Sequence, residues 1–576
     1  MAPTVADVVI VGAGPIGCLI AYQLARFGCT PYLMEKDDKK TMPCYGRATT
    51  LWPRTIEIFD QLDLFERLMQ TGVVTRNALH FRNGERIQGG FMFGSRMDKL
   101  GDTFFKFALH LRQRLIEEHF TEALEENGVK LHMLQRLQGF DIDETESSQY
   151  PVIVQVQNLD NGQVFQVRCK YLIGADGGKS TVRSLAGIPF PGERTTHRWI
   201  RMDARVQTNM PNSRCLNSID SPGHGQILWC PIDNGLTRIG YVFSQALLEK
   251  YGGVENVTQE IAVREAKEAL RPFEVKFEEV EWFTIYGIGQ AIAETFYLNE
   301  RILLAGDACH THSSGSAQGL NTGVQDAVNL SWKLALVLHG FGKESLLKTY
   351  DLERRPSVQQ VINNDKVIST LISGKYPPRF QGRQEHPQDL LTEWYTDVNV
   401  QLFTLGLGIS YSTNILNSSQ GEPSAATIRP GERGPDVFLT TIGTKDPVRL
   451  HQVLKNDARF SIVILAGKCT HSLLASFQSA LPAFLSLSPH WKRVFKFVTI
   501  AAFSGNGATD VLGRGYWGRV LWDSDGRAHA IYGVDEERGA VIVFRPDGWI
   551  GCVLALDGKV VDALGSYFGE FLDLLA

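Results

Sequence analysis

Gly12, Gly14 and Gly17 stand at Gly-x-Gly-x-x-Gly spacing directly after the apolar run Val8-Val9-Ile10-Val11. Glu35 follows about twenty residues on, behind a second apolar run, Tyr32-Leu33-Met34. The spacing has a chemical purpose. The first glycine makes a tight turn, the second lets backbone N–H groups approach a pyrophosphate, and the third permits close helix–strand packing. The following helix turns its positive end toward the phosphates, and an acid at Glu35 can accept hydrogen bonds from a ribose. Two further apolar runs end the same way. Tyr171-Leu172-Ile173-Gly174 leads into Ala175-Asp176-Gly177, and Ile302-Leu303-Leu304-Ala305 leads into Gly306-Asp307-Ala308. The small residues Ser313 to Gly319 come next, and then a helix is expected from about Asn321 to Leu338. A backbone of small residues can lie against a flat ring. A helix N-terminus there, carrying roughly half an elementary charge, would favour an anionic ring system and its tendency to accept hydride.

Each strand-to-acid turn is commonplace by itself. Together, in this order, they resemble the FAD fingerprint and the DG and GD motifs of the single-component (class A) FAD-dependent aromatic hydroxylases, and the phenol 2-monooxygenase-like branch in particular. Gly46-Arg47-Ala48-Thr49-Thr50 with Arg54-Thr55 and Glu57, and the Gln113…Glu117 helix, are similar to two lesser segments of that family. The resemblance implies that Gly12, Gly14 and Gly17 hold FAD, with Glu35 at the adenosine ribose. It places Arg47 and Gln113 along the pyrophosphate and ribityl chain, and Asp307 on the ribityl hydroxyls. Gly319 and Asn321 fall where the small-residue loop and helix start meet the flavin. Asp176 falls where relatives touch both FAD and a transient nicotinamide cofactor. Trp282 to Gln290 looks like the Tyr-x-Ile-Gly-Gln stretch of phenol hydroxylases, which makes Tyr286 the candidate catalytic residue, set against a phenolic hydroxyl. Such a Tyr would help draw the proton from a bound phenol and enrich its ring for electrophilic attack.

What the resemblance implies is a monooxygenase that takes electrons from NADPH or NADH, uses O2 as cosubstrate, and hydroxylates a phenolic ring through a flavin C4a-hydroperoxide. Three positions depart from the pattern: Thr49 where phenol-hydroxylating relatives commonly have Asp, Ser314 in place of Pro, and Ala291 where Arg is frequent. They favour a larger or differently activated aromatic than phenol. Baeyer–Villiger insertion, oxidative decarboxylation or dearomatisation stays open as an alternative outcome, as does a flavin dehydrogenase without oxygen insertion. His310-Thr311-His312 lacks a third ligand nearby, so no metal is expected.

The elements that must position these residues follow from pattern. The fold class is α/β: a Rossmann-like FAD domain of the para-hydroxybenzoate hydroxylase type (1–75, 101–190 and 296–345), an antiparallel substrate sheet (76–100 and 191–295), a helical segment (346–415), a linker (416–436) and a thioredoxin-like domain (437–576). Alternation in Trp199–Val206, Gln226–Cys230 and Thr237–Phe243 predicts the strands of the sheet, which would roof a pocket over the flavin. Strands at Phe460–Gly467 and 494–503, a hairpin turning at Arg545-Pro546-Asp547-Gly548, and a final helix carrying Leu564 and Phe568 give the last domain its βαβ–ββα layout. By resemblance it is a dimerisation element, so a homodimer is expected.

Composition sets the outer limits. A chain of 576 residues holds more than one core, and 43% hydrophobic with 21% charged residues is ordinary globular usage. A net charge of −5 argues against nucleic acid as the partner. The stretch from Val8 to Ala25 has the length of a membrane span but is broken by Gly12, Gly14, Pro15 and Gly17, and reads as strand-turn-helix. Nine cysteines without a Cys-x-x-Cys pair suggest reduced thiols and a cytoplasmic setting.

Overall fold

A computed structural model describes residues 4–87, 102–143, 149–418, 426–468, 471–502 and 518–574. Its first layer is a sheet in the order Tyr297–Leu298, Ile302–Leu304, Val164–Gly174, Thr4–Val11, Pro31–Met34, Leu131–His132. The apolar runs from the sequence are its parallel centre, buried on both faces as such strands must be. Register aligns their ends: Val11 faces Gly174 on one side and Met34 on the other, and Gly174 faces Leu304. The ladder then continues one residue into the loops. Gly12 N donates to Met34 O, Ala175 N to Val11 O, and Ala305 N to Gly174 O, each at 2.9 Å. The turns after Gly12, Ala175 and Ala305, together with Glu35, therefore leave the carboxyl edge side by side, where open α/β sheets bind their ligands.

Helix Pro15–Arg26 follows the first strand and packs against Gln318–Leu338 and Gln113–Glu126. Gly12 has φ +101°, and a Cβ on Gly17 would sit 1.9 Å from Gly12 O, so a glycine is required at both positions. Helix Gln318–Leu338 starts three residues earlier than the pattern suggested, because Ala317 takes a left-handed conformation (φ 55°) that turns the loop straight into it.

The second layer is an eight-stranded sheet. Its order is His310–Thr311, Val275–Ile292, Gly192–Thr208, Thr237–Phe243, Gly225–Pro231, Leu216–Ser221, Ala78–Arg82, Glu85–Ile87. All but one pairing are antiparallel; Ala78–Arg82 runs parallel to Leu216–Ser221. Two neighbouring strands toward one edge, Gly192–Thr208 and Val275–Ile292, are far longer than the sequence pattern showed, 17 and 18 residues, and bend through register shifts. Period-two alternation splits the faces. Ile200 and Met202 pack outward with Ala262 and Ala266 of helix Gln259–Ala269, while Trp199, Arg201 and Asp203 face the first layer. Of the segment expected at 76–100, residues 88–100 lie outside the described residues.

Helix Ser345–Ile372 runs behind both layers and leads through Pro387–Trp394 and Val398–Thr404 to the last domain. Of the expected linker, 419–425 lies outside the described residues. The last sheet has seven strands: Pro447–Arg449, Phe438–Thr441, Arg519–Trp522, Phe495–Ala501, Phe460–Gly467, Ala540–Phe544, Ile550–Ala555. The parallel pair and terminal hairpin stand as the thioredoxin-like layout requires, with Gly548 N donating to Arg545 O (2.9 Å) in the turn. The two strands between 438 and 449 and the one at 519–522 carry too little alternation to be read from sequence. Cys469 lies outside the described residues, and the other eight cysteines are free thiols. Among the described residues, no helix is long and apolar enough to cross a membrane.

Candidate active site

The carboxyl edge of the first sheet and the inner face of the second enclose one continuous cavity of about 1460 Å³. That exceeds what a drug-sized ligand needs, which is at most on the order of 1000 Å³, and leaves room for a dinucleotide together with an aromatic substrate. Gly12, Gly14 and Glu35 line one end. Glu35 is buried; its Oε2 accepts Ala13 N (2.9 Å) and its Oε1 accepts Asp37 N (3.1 Å), which fixes the carboxylate against the first turn. Gly17 does not line the cavity, and its contribution is the helix–loop approach described above.

Arg47 and Gln113 line the middle. Arg47 is exposed, has φ 36°, and lies with its guanidinium 5.0 Å from the Tyr45 ring centre. Gln113 opens its helix, accepts Ala48 N (3.4 Å) and donates to Glu117 Oε1 (2.8 Å). Glu117 is buried and also receives the Tyr45 hydroxyl and Lys39 Nζ (2.9 Å). Burial would lower the Lys39 pKa, but the Glu117 carboxylate outweighs it and holds the amine above its ordinary value. Asp176 lines the cavity through its loop, while its carboxylate is spent locally. Oδ2 accepts Thr181 N (2.6 Å) and Val182 N (3.2 Å), and Oδ1 accepts Ser180 Oγ (2.5 Å).

Asp307 is placed differently. Its carboxylate is exposed to the cavity and has no hydrogen-bond partner among the described residues, while Gly306 and Ala308 beside it are buried. An acceptor left free at the end of a central strand is what a polyhydroxyl chain can use. Ala317, Gly319 and Leu320 bring the first turn of helix Gln318–Leu338, with its unpaired N–H groups, to the same wall. Asn321 does not line the cavity. Its Oδ1 accepts Trp52 N (3.0 Å) and Thr55 Oγ1 (2.7 Å), and its Nδ2 donates to Thr50 O (2.9 Å) and Ala317 O (2.6 Å), so it pins the helix start to the segment at 50–55. The free Asp307 carboxylate, the glycine turn and the helix N-terminus on one wall fit a flavin dinucleotide.

The opposite wall is the sheet. Register sets Trp199 beside Tyr286, Arg201 beside Thr284, and Asp203 beside Trp282. Tyr286 is half-buried, and its hydroxyl hydrogen-bonds Ser314 Oγ of the small-residue loop. Arg201, 8% exposed, also donates to Ser314 Oγ (3.2 Å). Arg238 is bound by Asp203 through two oxygens (2.7 and 2.8 Å) and donates to Arg47 O and to Thr49 Oγ1 (3.3 Å). Arg201 and the Arg238–Asp203 pair are site features that the sequence reading passed over. Their one signal was charge alternating on a strand otherwise patterned for burial.

His310 Nε2 and Asp326 Oδ2 are 2.7 Å apart, with Cys309 close by. Arg354 and Gly306 N also bind Asp326, and Cys309 Sγ donates to Gly306 O, so the cluster is a buried hydrogen-bond knot beneath the Asp307 turn.

The chain resembles known proteins along almost its whole length. The profile of the family described as FAD binding domain matches residues 5–365, and that of the phenol hydroxylase C-terminal dimerisation domain matches 503–574. It is 26% identical to a phenol 2-monooxygenase (fsqG) of Aspergillus fumigatus, over 96% of this chain and 94% of that protein. It is 26% identical to the 3-hydroxybenzoate 4-monooxygenase of Comamonas testosteroni, over 99% and 95%. Among solved structures, the OxyS anhydrotetracycline hydroxylase from Streptomyces rimosus superposes with TM-score 0.71 at 26% identity, covering 98% of this chain and 99% of that one. The motifs, the cavity they share and these matches lead to one conclusion: the chain belongs to the FAD binding domain family of FAD-dependent aromatic monooxygenases and carries that family's phenol hydroxylase-type C-terminal domain.

Proposed function

We propose that the protein hydroxylates a phenolic ring held between the sheet and the loop 313–317, with Tyr286 set at the substrate hydroxyl. The observation that carries this reading is the Tyr286–Ser314 hydrogen bond. It places a phenolic O–H, able to donate or accept, in the same cavity as Gly14 and Asp307. Bound FAD supplies the oxygen chemistry, taking electrons from NADPH or NADH and delivering one atom of O2 to the ring.

The chain's own residues bind, orient and exclude water. Gly12, Gly14, Glu35, Arg47, Gln113 and Asp307 support the dinucleotide. Trp199, Ile288 and Val242 form an apolar patch with Tyr286 that keeps the ring position dry. Tyr286 Oη takes a hydrogen bond from the substrate hydroxyl, with Ser314 Oγ and Arg201 behind it, and so withdraws proton density from the ring oxygen. Asp176, with its carboxylate committed to the turn, acts through the backbone of its loop where FAD and the nicotinamide cofactor meet.

The last domain supports a homodimer, since the profile it matches is a dimerisation domain. The test of the function is reaction of the purified, yellow protein with NAD(P)H, ¹⁸O2 and a phenolic panel. One labelled oxygen on the ring is expected. NAD(P)H consumption with no label in any product would make the protein a dehydrogenase, and ring expansion seen by NMR would make it a Baeyer–Villiger enzyme.

A further inference from the structure

The turn that carries Ser314 is held from behind by a side chain outside the cavity lining. Asp365 of helix Ser345–Ile372 is 1% exposed, and three donors converge on its carboxylate. Ser313 N (2.9 Å) and Gln290 Nε2 (2.7 Å) both donate to Oδ2, and the Ser313 hydroxyl donates to Oδ1. Ser313 Oγ in turn accepts Gly315 N (3.0 Å), which folds 313–315 tightly and leaves Ser314 at the exposed tip. Gly315 is close-packed on the same side. A Cβ there would meet Ile372 of that helix and Trp199, each at 3.2 Å.

Gln290 and Tyr286 lie four residues apart on strand Val275–Ile292, a spacing that puts both on one face. Each reaches the same turn. Tyr286 Oη meets Ser314 Oγ directly, while Gln290 reaches Ser313 through Asp365. Strand and turn are therefore joined at two points, one facing the cavity and one behind it. The front contact is between two hydroxyls, either of which can donate, and both can rotate away. The rear contact is buried, and its N–H groups would be left without an acceptor if it opened, which is costly. A carboxylate suits that place because it only accepts and has room for about four hydrogen bonds. The rear contact fixes the geometry, and the front one follows it.

We propose that Asp365 is a positioning residue for the hydroxylation: from outside the cavity it sets Ser314 against Tyr286, and so fixes where the substrate hydroxyl is held. The inference rests on the role given to Tyr286 above and adds the group that stands behind it.

The test is a double-mutant cycle between Asp365 and Tyr286 in the FAD-loaded protein. Two quantities are read: turnover of a phenolic substrate, and the dissociation constant of a non-reacting phenolic ligand by calorimetry. Asp365→Ala is expected to lower kcat about 10- to 100-fold, the scale of a misplacement of about 1 Å, with a smaller change in KM. It should also weaken ligand binding. In a Tyr286→Phe background the same substitution should cost less than about 3-fold, because residues that act as one unit are not additive. Asp365→Asn keeps an acceptor for Ser313 N and Gln290 and can turn its Nδ2 to the Ser313 hydroxyl, so it should recover most of the lost turnover. Wild-type turnover in Asp365→Ala, losses of equal size in both backgrounds, or an Asp365→Asn protein as impaired as Asp365→Ala would each overturn the proposal. The last result would assign the effect to the charge. If Asp365→Ala does not fold, Gln290→Met cuts the same tie from the strand and takes its place in the cycle, where equal losses in both backgrounds again overturn the proposal. A wild-type rate in Tyr286→Phe alone would sink the reading of Tyr286 and this inference together. A reduced rate in Tyr286→Phe beside an additive Asp365→Ala loss would sink this inference only.

Discussion

Arg545 of the terminal hairpin turn donates to both carboxylate oxygens of Glu353 on helix Ser345–Ile372, at 2.7 and 2.9 Å, across 192 residues of sequence. Both side chains are fully buried, and Lys333, Asn329, Asn417 and Asp547 complete the group. Replacing Arg545 by Met would leave Glu353 with less cationic compensation in a dry site. The expected loss is about 3–5 kcal/mol of folding stability, read as a lowered denaturation midpoint. An unchanged midpoint would mean the last domain is held by its apolar contacts alone.

Asp307 presents a free carboxylate at the end of a central strand. Asp307→Ala removes no internal hydrogen bond, so the protein should keep its far-ultraviolet circular dichroism and melting behaviour. It should, however, be isolated largely colourless. Flavin retained at one equivalent per chain would show that the polyhydroxyl chain is held elsewhere.

Tyr286→Phe deletes one oxygen from the cavity. Flavin content should be unaltered, while turnover of a phenolic substrate falls by about 100-fold. A wild-type rate would reduce Tyr286 to a packing partner of Trp199.

His110 is wholly buried between Thr50 Oγ1 (3.1 Å) and Thr75 Oγ1 (2.6 Å). Burial, with the Arg238 charge adding to it, lowers its pKa to about 3. In the unfolded chain the imidazole titrates near 6.5. Between these values the unfolded state binds the extra proton, so His110 costs the fold stability as pH falls, up to about 1.4 kcal/mol per unit. From pH 7 to pH 5 wild type should lose about 2 kcal/mol more than His110→Gln, as measured by denaturant titration. Parallel losses would show that the imidazole accepts its proton without penalty.

The legible parts of this molecule were those whose cause is local. A strand running into Gly12 or Asp307 announces itself within ten residues, because turn, phosphate approach and helix start are all short-range demands. Asn321 shows the limit. Its residue type suited a ligand contact, but its amide is consumed by Thr50, Trp52 and Thr55, about 270 residues earlier in the chain. Arg201 was legible as a strand residue only. That Arg238 is paired with an acid depends on Asp203 reaching the next strand, which spacing does not record. The Glu353–Arg545 pair is hidden for the same reason: two isolated charges in sequence become a single neutral unit once two domains meet.

Helix Gln318–Leu338 shows its first turn to the cavity and carries Trp332 and Lys333 near its far end, where Trp332 Nε1 reaches Asp547 (3.0 Å) and Lys333 Nζ reaches Glu353 (2.8 Å). Twenty-one residues of unbroken helix make a rod about 30 Å long. The terminal domain therefore grips one end of a stiff lever whose other end forms one wall of the cavity. A tilt imposed where two copies of the chain join would be carried along an unbroken helix to that wall.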